Sequence, residues 1–341
     1  MNELAAQPAP IKRWSNVDVT MFREEILPRN EPAVLASLVA EWPAVQYGRR
    51  GPEPLAQYIK TADSGTVVET FHGDPAIAGR FFYQPQLDGF NFERRRETLS
   101  TLIDCLLQHV DIEQAPAIYA GAVPMRDAVP KIAQENALPL LEPSVSPRIW
   151  IGNAITVSTH FDTAANIACV IAGRRRFTLF PPEQIENLYV GPLDFTIAGP
   201  PVSMVDLEAP DLLRYPRFAQ AWATALRAEL EPGDAIYIPN TWWHHIKSLG
   251  PFNALVNYWW EDAKPWAGAP FDCLIHGLLS IRDLPEPRRK AWRAMFDHLL
   301  FRTDGDDVEY LPPGQRGVLG ELTPELAERM RMYLKYGLQR R

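Results

Sequence analysis

His160 and Asp162, two residues apart, and the distant His244 are the side chains of this sequence best suited to chemistry. Two imidazoles and one carboxylate can occupy one face of an octahedral metal ion and leave the opposite face open. Non-haem iron(II) oxygenases use that arrangement to admit a co-substrate and O₂. An H-x-D triplet alone says little, but its surroundings say more. It ends the run from Trp150 to Asp162, which reads as a strand entering a site. His244 ends the run from Gly233 to His244, a turn, a strand and an aromatic bend. On an extended strand, residues i and i+2 point to the same side. His160 and Asp162 are therefore expected to face one ion while Phe161 points into the opposite layer. His244 lies 82 residues beyond Asp162 (244 minus 162), so it must come from another strand of a closed or folded sheet. The bland alternative is a hydrogen-bonded core pair at His160 and Asp162, with His244 a satisfied member of an aromatic cluster.

The elements that must position these residues are mostly strands. Between Arg148 and Ile246 the pattern predicts strands at 148–154, 160–162, 166–172, 176–180 and 235–238, with 253–260 closing the series. A helix or helical turn is expected over 219–230. Upstream, the spacing predicts a helix from Val17 to Leu27, a strand at 32–35, a short helix over 52–63, a strand over 65–71, an amphipathic helix over 97–109 and a strand at 117–120. Many strands with long connections and no βαβ alternation imply an antiparallel barrel or sandwich. After Pro265 the character changes. Residues 271–281, 286–300 and 323–337 read as helices, the last with Thr323 as N-cap, Pro324 at its first position and Gly337 after its final turn. The expected organisation is a mainly β catalytic domain over 1–265, with residues 1–10 a disordered tail, and a C-terminal helical region over 266–341.

Composition narrows the function. Among 341 residues 46% are hydrophobic and 11% aromatic, enough for a substantial core, and 32 prolines suit short strands and loops more than a helical bundle. The net charge is −8 and no Lys/Arg block suggests a nucleic-acid surface; Arg94–Arg96 and Arg340-Arg341 read as solvated faces. Three cysteines, Cys105, Cys169 and Cys273, fit neither a zinc site nor a disulfide framework, so a reduced, cytoplasmic setting is expected. No apolar stretch approaches the roughly 18 residues of a membrane span, and the N-terminal residues lack a signal-peptide pattern.

The segments Trp150–Pro182 and Gly233–Trp260 carry a resemblance that extends over roughly 12–262. The chain resembles the Jumonji-C (cupin-like) 2-oxoglutarate oxygenases, especially the branch of the asparaginyl hydroxylase that inhibits hypoxia-inducible factor. That resemblance implies a double-stranded β-helix (cupin or jelly-roll barrel) with iron inside one end. It implies His160, Asp162 and His244 as iron(II) ligands; His245 is the rival to His244, which directly follows the Trp-Trp pair. In Gly173 to Pro182 it implies Arg175 as the cation for the distal carboxylate of 2-oxoglutarate, where the nearest relatives of that branch carry Lys. Arg174 or Arg176 would take the role in a different strand register. Tyr119 matches a tyrosine on the same carboxylate, and Asn166 and Asn257 match asparagines lining the co-substrate and iron pocket. One element departs: the relatives place a Thr or Ser three residues before the first ligand, and here Val157 stands there among Thr156, Ser158 and Thr159. The tryptophans at 242, 243, 259 and 260 read as core and pocket wall, and His72, Asp74 and Phe81–Tyr83 lie where the substrate groove is expected.

The leading reading is an iron(II)- and 2-oxoglutarate-dependent hydroxylase of a protein or peptide side chain, dimerising through its C-terminal helices. Two other classes stand beside it. One is a non-enzymatic or degenerate metal-binding cupin acting as a sensor or binding protein. The other is a zinc or manganese cupin doing hydrolysis or isomerisation, which has no need of the dicarboxylate set of Arg175, Asn166 and Asn257.

Overall fold

Fourteen strands form among the described residues: β1 (Ala9–Pro10), β2 (Arg13–Ser15), β3 (Ala33–Ala36), β4 (Val67–Gly73), β5 (Phe92–Thr98), β6 (Ala117–Pro124), β7 (Pro147–Gly152), β8 (Thr156–His160), β9 (Ala165–Ala172), β10 (Arg175–Phe180), β11 (Leu226–Leu230), β12 (Ala235–Ile238), β13 (Trp243–Ser248) and β14 (Asn253–Trp260). The structure is a computed structural model describing residue 4, residues 7–303, residue 305 and residues 308–339. Part of the expected N-terminal tail and the Arg340-Arg341 pair lie outside these. The chain divides into two compact units, Met1–Glu261 and Asp262–Arg341.

The strands make a nine-stranded sheet, ordered β2-β3-β12-β9-β14-β7-β6-β4-β5, and a five-stranded sheet, ordered β1-β11-β10-β13-β8. From β7 to β14 the chain passes from one sheet to the other at each step, except that β10 and β11 share a sheet. Pairing within this set of eight is antiparallel throughout. This winding is the double-stranded β-helix. Its interior holds Ala168 and Val170 of β9, Phe177 and Leu179 of β10, Ile236 and Ile238 of β12 and Leu255 of β14. The outer face of the larger sheet carries Ile167, Cys169 and Ile171, packed with Phe22 and Ile26 and with the apolar stripes of helices Pro52–Ala62 and Leu99–Gln108. Both faces of β9 are thus dry, and this is why its sequence is almost wholly apolar rather than alternating.

Several local expectations need correction. The helix expected over 219–230 stops at Ala223, and Leu226–Leu230 is β11. Its Leu-Arg-Ala-Glu-Leu alternation carries the strand period, and pairing with β10 overrides the helical propensity of those residues. β8 ends at His160, so Asp162 lies beyond the strand. The helix expected from Val17 is instead a short α turn, Val19–Met21, followed by a π turn and a 3₁₀ turn. In the second unit the helices are Pro270–Ser280, Glu286–Leu299 and Pro324–Gln339. Thr323 caps the last, its Oγ1 accepting from the Leu326 N–H at 3.2 Å, but Gly337 lies inside that helix rather than past its end.

Helix Pro43–Arg49 lies against β9 through Gly48, where an added Cβ would sit 1.9 Å from the Ile171 carbonyl oxygen. Gly48→Ala should therefore lower unfolding free energy by about 1–3 kcal/mol. Gly250→Ala, with nothing within 4 Å of the added atom, should stay near wild type. Equal denaturation midpoints for the two variants would contradict this packing.

Candidate active site

His160 closes β8, His244 lies next to the start of β13, and the two are direct cross-strand partners, so their side chains leave the same face of the sheet. Asp162 joins them from the turn after β8. Its backbone carbonyl accepts the Thr241 N–H at 2.7 Å. Thr241 itself has φ +62°, a left-handed conformation that a β-branched residue rarely adopts. The strained turn before the Trp-Trp pair is thus tied directly to the Asp162 backbone. One ligand atom from each of His160, Asp162 and His244 lies within 4.8 Å of the others. His244 Nε2 lies 3.6 Å from Asp162 Oδ2.

The surroundings set the state of these groups. His160 Nδ1 is 2.8 Å from the Ser158 carbonyl, and His244 Nδ1 is 3.0 Å from the Trp242 carbonyl. A carbonyl only accepts, so each Nδ1 carries the proton and each Nε2 presents its lone pair. Burial and the adjacent His160 ring pull His244 down to about 4, so at neutral pH it is the uncharged ligand that a metal requires. The Trp259 indole N–H donates to Asp162 Oδ2 at 3.0 Å and orients the carboxylate. These are hard and borderline donors, N₂O in all, suited to iron(II). Phe161 points the other way, onto Trp243 at 4.8 Å. His245 also faces outward, toward Glu208 at 3.7 Å, so the register separates it from its neighbour His244.

Arg175 lies on the barrel's inner face. Along β10, Arg175, Phe177 and Leu179 stand opposite Ser248, Ile246 and His244 of β13. Arg174 is largely exposed, and Arg176 turns outward to hold Glu229 at 2.8 Å. The Arg175 side chain is buried, and its Nε and Nη2 have no hydrogen-bond partner. Burial pulls the guanidinium down to about 10, which leaves it charged at neutral pH. Tyr119, also buried, is its electrostatic neighbour. An unpaired buried cation is costly, and a carboxylate offered to that Nε–Nη2 edge removes the cost. The residues present therefore fit a dicarboxylic acid beside a metal. Asn257 accepts from the Trp150 indole at 2.6 Å and donates to Asn166 Oδ1 at 3.1 Å, so the two asparagines form one buried chain.

A cavity of about 530 Å³ opens onto His160 and Asp162. Its wall includes His160, Asp162, Val157 and the rings of Phe71, Phe81, Tyr119, Trp150 and Trp259. His244, Arg175, Asn166 and Asn257 are buried and do not form part of that wall. Residues 196–200 and Val202 of the long β10–β11 connection also line the cavity. They are held by Arg94, which donates to the Ile197 carbonyl at 2.5 Å and to Glu69 at 2.8 Å, and by Tyr83, which donates to the Phe195 carbonyl at 2.6 Å. Of the expected groove residues, Phe81 lines the cavity. His72 is engaged with Glu97 at 2.8 Å, and Asp74 caps a short 3₁₀ turn. Sequence reasoning missed Trp259 as the partner of Asp162, yet Asn257 and Trp259 share one face of β14 by simple alternation.

A cupin-like domain model matches residues 19–264. The chain belongs to the cupin-like domain family. Among its relatives, Jumonji C domain-containing protein 5 of Drosophila melanogaster is 34% identical over 252 residues, 70% of this chain and 57% of that protein. Lysine-specific demethylase 8 of Xenopus tropicalis is 25% identical over 248 residues, 70% of this chain and 50% of that protein. The human bifunctional peptidase and (3S)-lysyl hydroxylase JMJD7 is 27% identical over 272 residues, 70% of this chain and 80% of that protein. This cupin-like chain therefore spans about half the length of the demethylase it matches.

Trp259→Phe should weaken metal affinity about 10–100-fold by freeing the carboxylate it orients, and Asp162→Ala should abolish tight binding, both without loss of cooperative unfolding. Titration of the protein with iron(II) under anaerobic conditions measures this. Wild-type affinity in Asp162→Ala would remove that residue from the ligand set.

Proposed function

We propose that this protein is an iron(II)- and 2-oxoglutarate-dependent oxygenase that hydroxylates a protein side chain. The observation that carries this reading is the pairing of two features in one barrel. One is the convergent His160, Asp162 and His244 set, with both Nδ1 protons tied to carbonyls. The other is the buried, unpaired edge of Arg175. A zinc hydrolase or a simple metal store has no need of the second.

When bound, iron(II) supplies open coordination positions for the 2-oxo acid and O₂, and with them the oxidising power to attack a C–H bond. The protein's own residues do the rest. Arg175, with Tyr119 beside it, takes the distal carboxylate and so sets the direction of the co-substrate. The Trp150–Asn257–Asn166 chain fixes the wall behind it. The aromatic rings of Phe71, Phe81 and Trp259 exclude water from the reacting side, and the Arg94-held segment closes it from above. A polypeptide target is supported by the relatives, one named a lysine-specific demethylase and another a lysyl hydroxylase. The asparaginyl hydroxylase branch suggested by the sequence remains a proposal alongside these. Release of succinate from 2-oxoglutarate by anaerobically iron-loaded protein, stimulated by a cognate peptide, is the expected activity. No turnover with any peptide tried would favour the sensor reading, and metal-independent turnover would contradict the iron(II) assignment.

Two further outcomes follow from this reading. Arg175→Ala should weaken 2-oxoglutarate binding about ten- to a hundredfold, since a hydrogen bond to a charged group contributes roughly 1.5–3 kcal/mol; calorimetry giving wild-type affinity would contradict its role. The helices of the second unit expose Leu279 at 74% and Tyr333 at 79%, with Leu274, Met295 and Leu334 also open to solvent. Their cover in the proposed reading is a second copy of this chain. Light scattering should give a dimer that is lost on deleting residues 266–341, and a full-length monomer at micromolar concentration would contradict it.

A further inference from the structure

A carboxylate has about four acceptor sites, and the Arg175 edge supplies donors for two of them. Val157, three residues before His160, packs with Phe71, Phe81, Tyr119 and Ile155 and donates nothing. Two hydroxyls are buried without any hydrogen-bond partner, Ser158 Oγ, which lines the cavity, and Ser248 Oγ, which lies behind it with Arg175. A buried hydroxyl left unsatisfied is unfavourable by itself, so each invites a ligand.

Strand order separates them. Ser248 stands directly opposite Arg175 in the β10–β13 pair, on the inner face that continues through Ile246 and His244. Directly opposed residues have Cβ atoms about 4.5–5.5 Å apart. Ser158 is on β8, which β13 separates from β10, so its backbone lies two strand spacings away, roughly 9–10 Å. Val157 is on that same distant strand. We propose that Ser248 donates its hydroxyl proton to the distal carboxylate of 2-oxoglutarate held by Arg175. This rests on the 2-oxoglutarate reading above. It makes Ser248 a binding residue with no part in metal ligation.

The test is calorimetric titration of 2-oxoglutarate into full-length protein loaded with Mn(II), which the same N and O ligands accept. Ser248→Ala should weaken 2-oxoglutarate about tenfold, while Mn(II) affinity and the unfolding midpoint stay at wild-type values. Wild-type 2-oxoglutarate affinity in Ser248→Ala would overturn the proposal. So would a parallel loss of Mn(II) affinity, or a loss seen in Ser158→Ala instead. Failure of the wild-type protein to bind 2-oxoglutarate at all would overturn the functional reading itself, and this inference with it.

Discussion

The register between β8 and β13 is the constraint on which the site depends. It sets His160 against His244, and one residue's slip would bring His245 to face His160 and turn His244 outward. A bulge follows immediately: two residues of β8, Ser158 and Thr159, oppose the single His245. The register is locked from both sides. Within the barrel, Ile246 packs with Phe177 and Trp242. Outside it, His245 and Lys247 meet Glu208, and Thr159 meets His245 at 3.4 Å. The Thr241–Asp162 hydrogen bond then brings in the third ligand from beyond the strand end.

Once that pairing is made, burial gives the site its electrostatic character. His244 is neutral because it is dry and next to another imidazole. Arg175 stays charged although dry and unpaired, a state that favours binding an anion. A neutral His244 beside a second imidazole, one carboxylate oriented by an indole, and a lone interior cation four residues farther along the β10–β13 pair suit a metal and an acid in one barrel. The outward arginines Arg174 and Arg176 answer Glu229 instead and leave this balance undisturbed.

Much of this was legible in the sequence, for physical reasons. The two-residue spacing of His160 and Asp162, and the apolar strands around them, report the barrel and the convergence of these residues with His244. The continuous apolar run of β9 reports a strand dry on both faces. Other parts were not legible. That Asp162 faces the ion depends on a turn held by Thr241, not on strand alternation, because β8 has already ended. Which of three arginines points inward is a question of register, and register is set by partners distant in sequence. Leu226–Leu230 is built from good helix formers, and only its pairing with β10 makes it a strand. The partnership of Ser248 with Arg175 likewise exists only across strands 73 residues apart (248 minus 175).

The central claim is a metal centre of two imidazoles and one carboxylate with an open face toward an Arg175-held acid. X-ray absorption spectroscopy on the anaerobic iron(II)-loaded protein tests it most directly. The account predicts two histidine nitrogens among otherwise oxygen ligands, with oxygen scatterers rearranging on addition of 2-oxoglutarate and the histidine count unchanged. A third imidazole, a sulfur ligand, or a coordination shell indifferent to 2-oxoglutarate would contradict it.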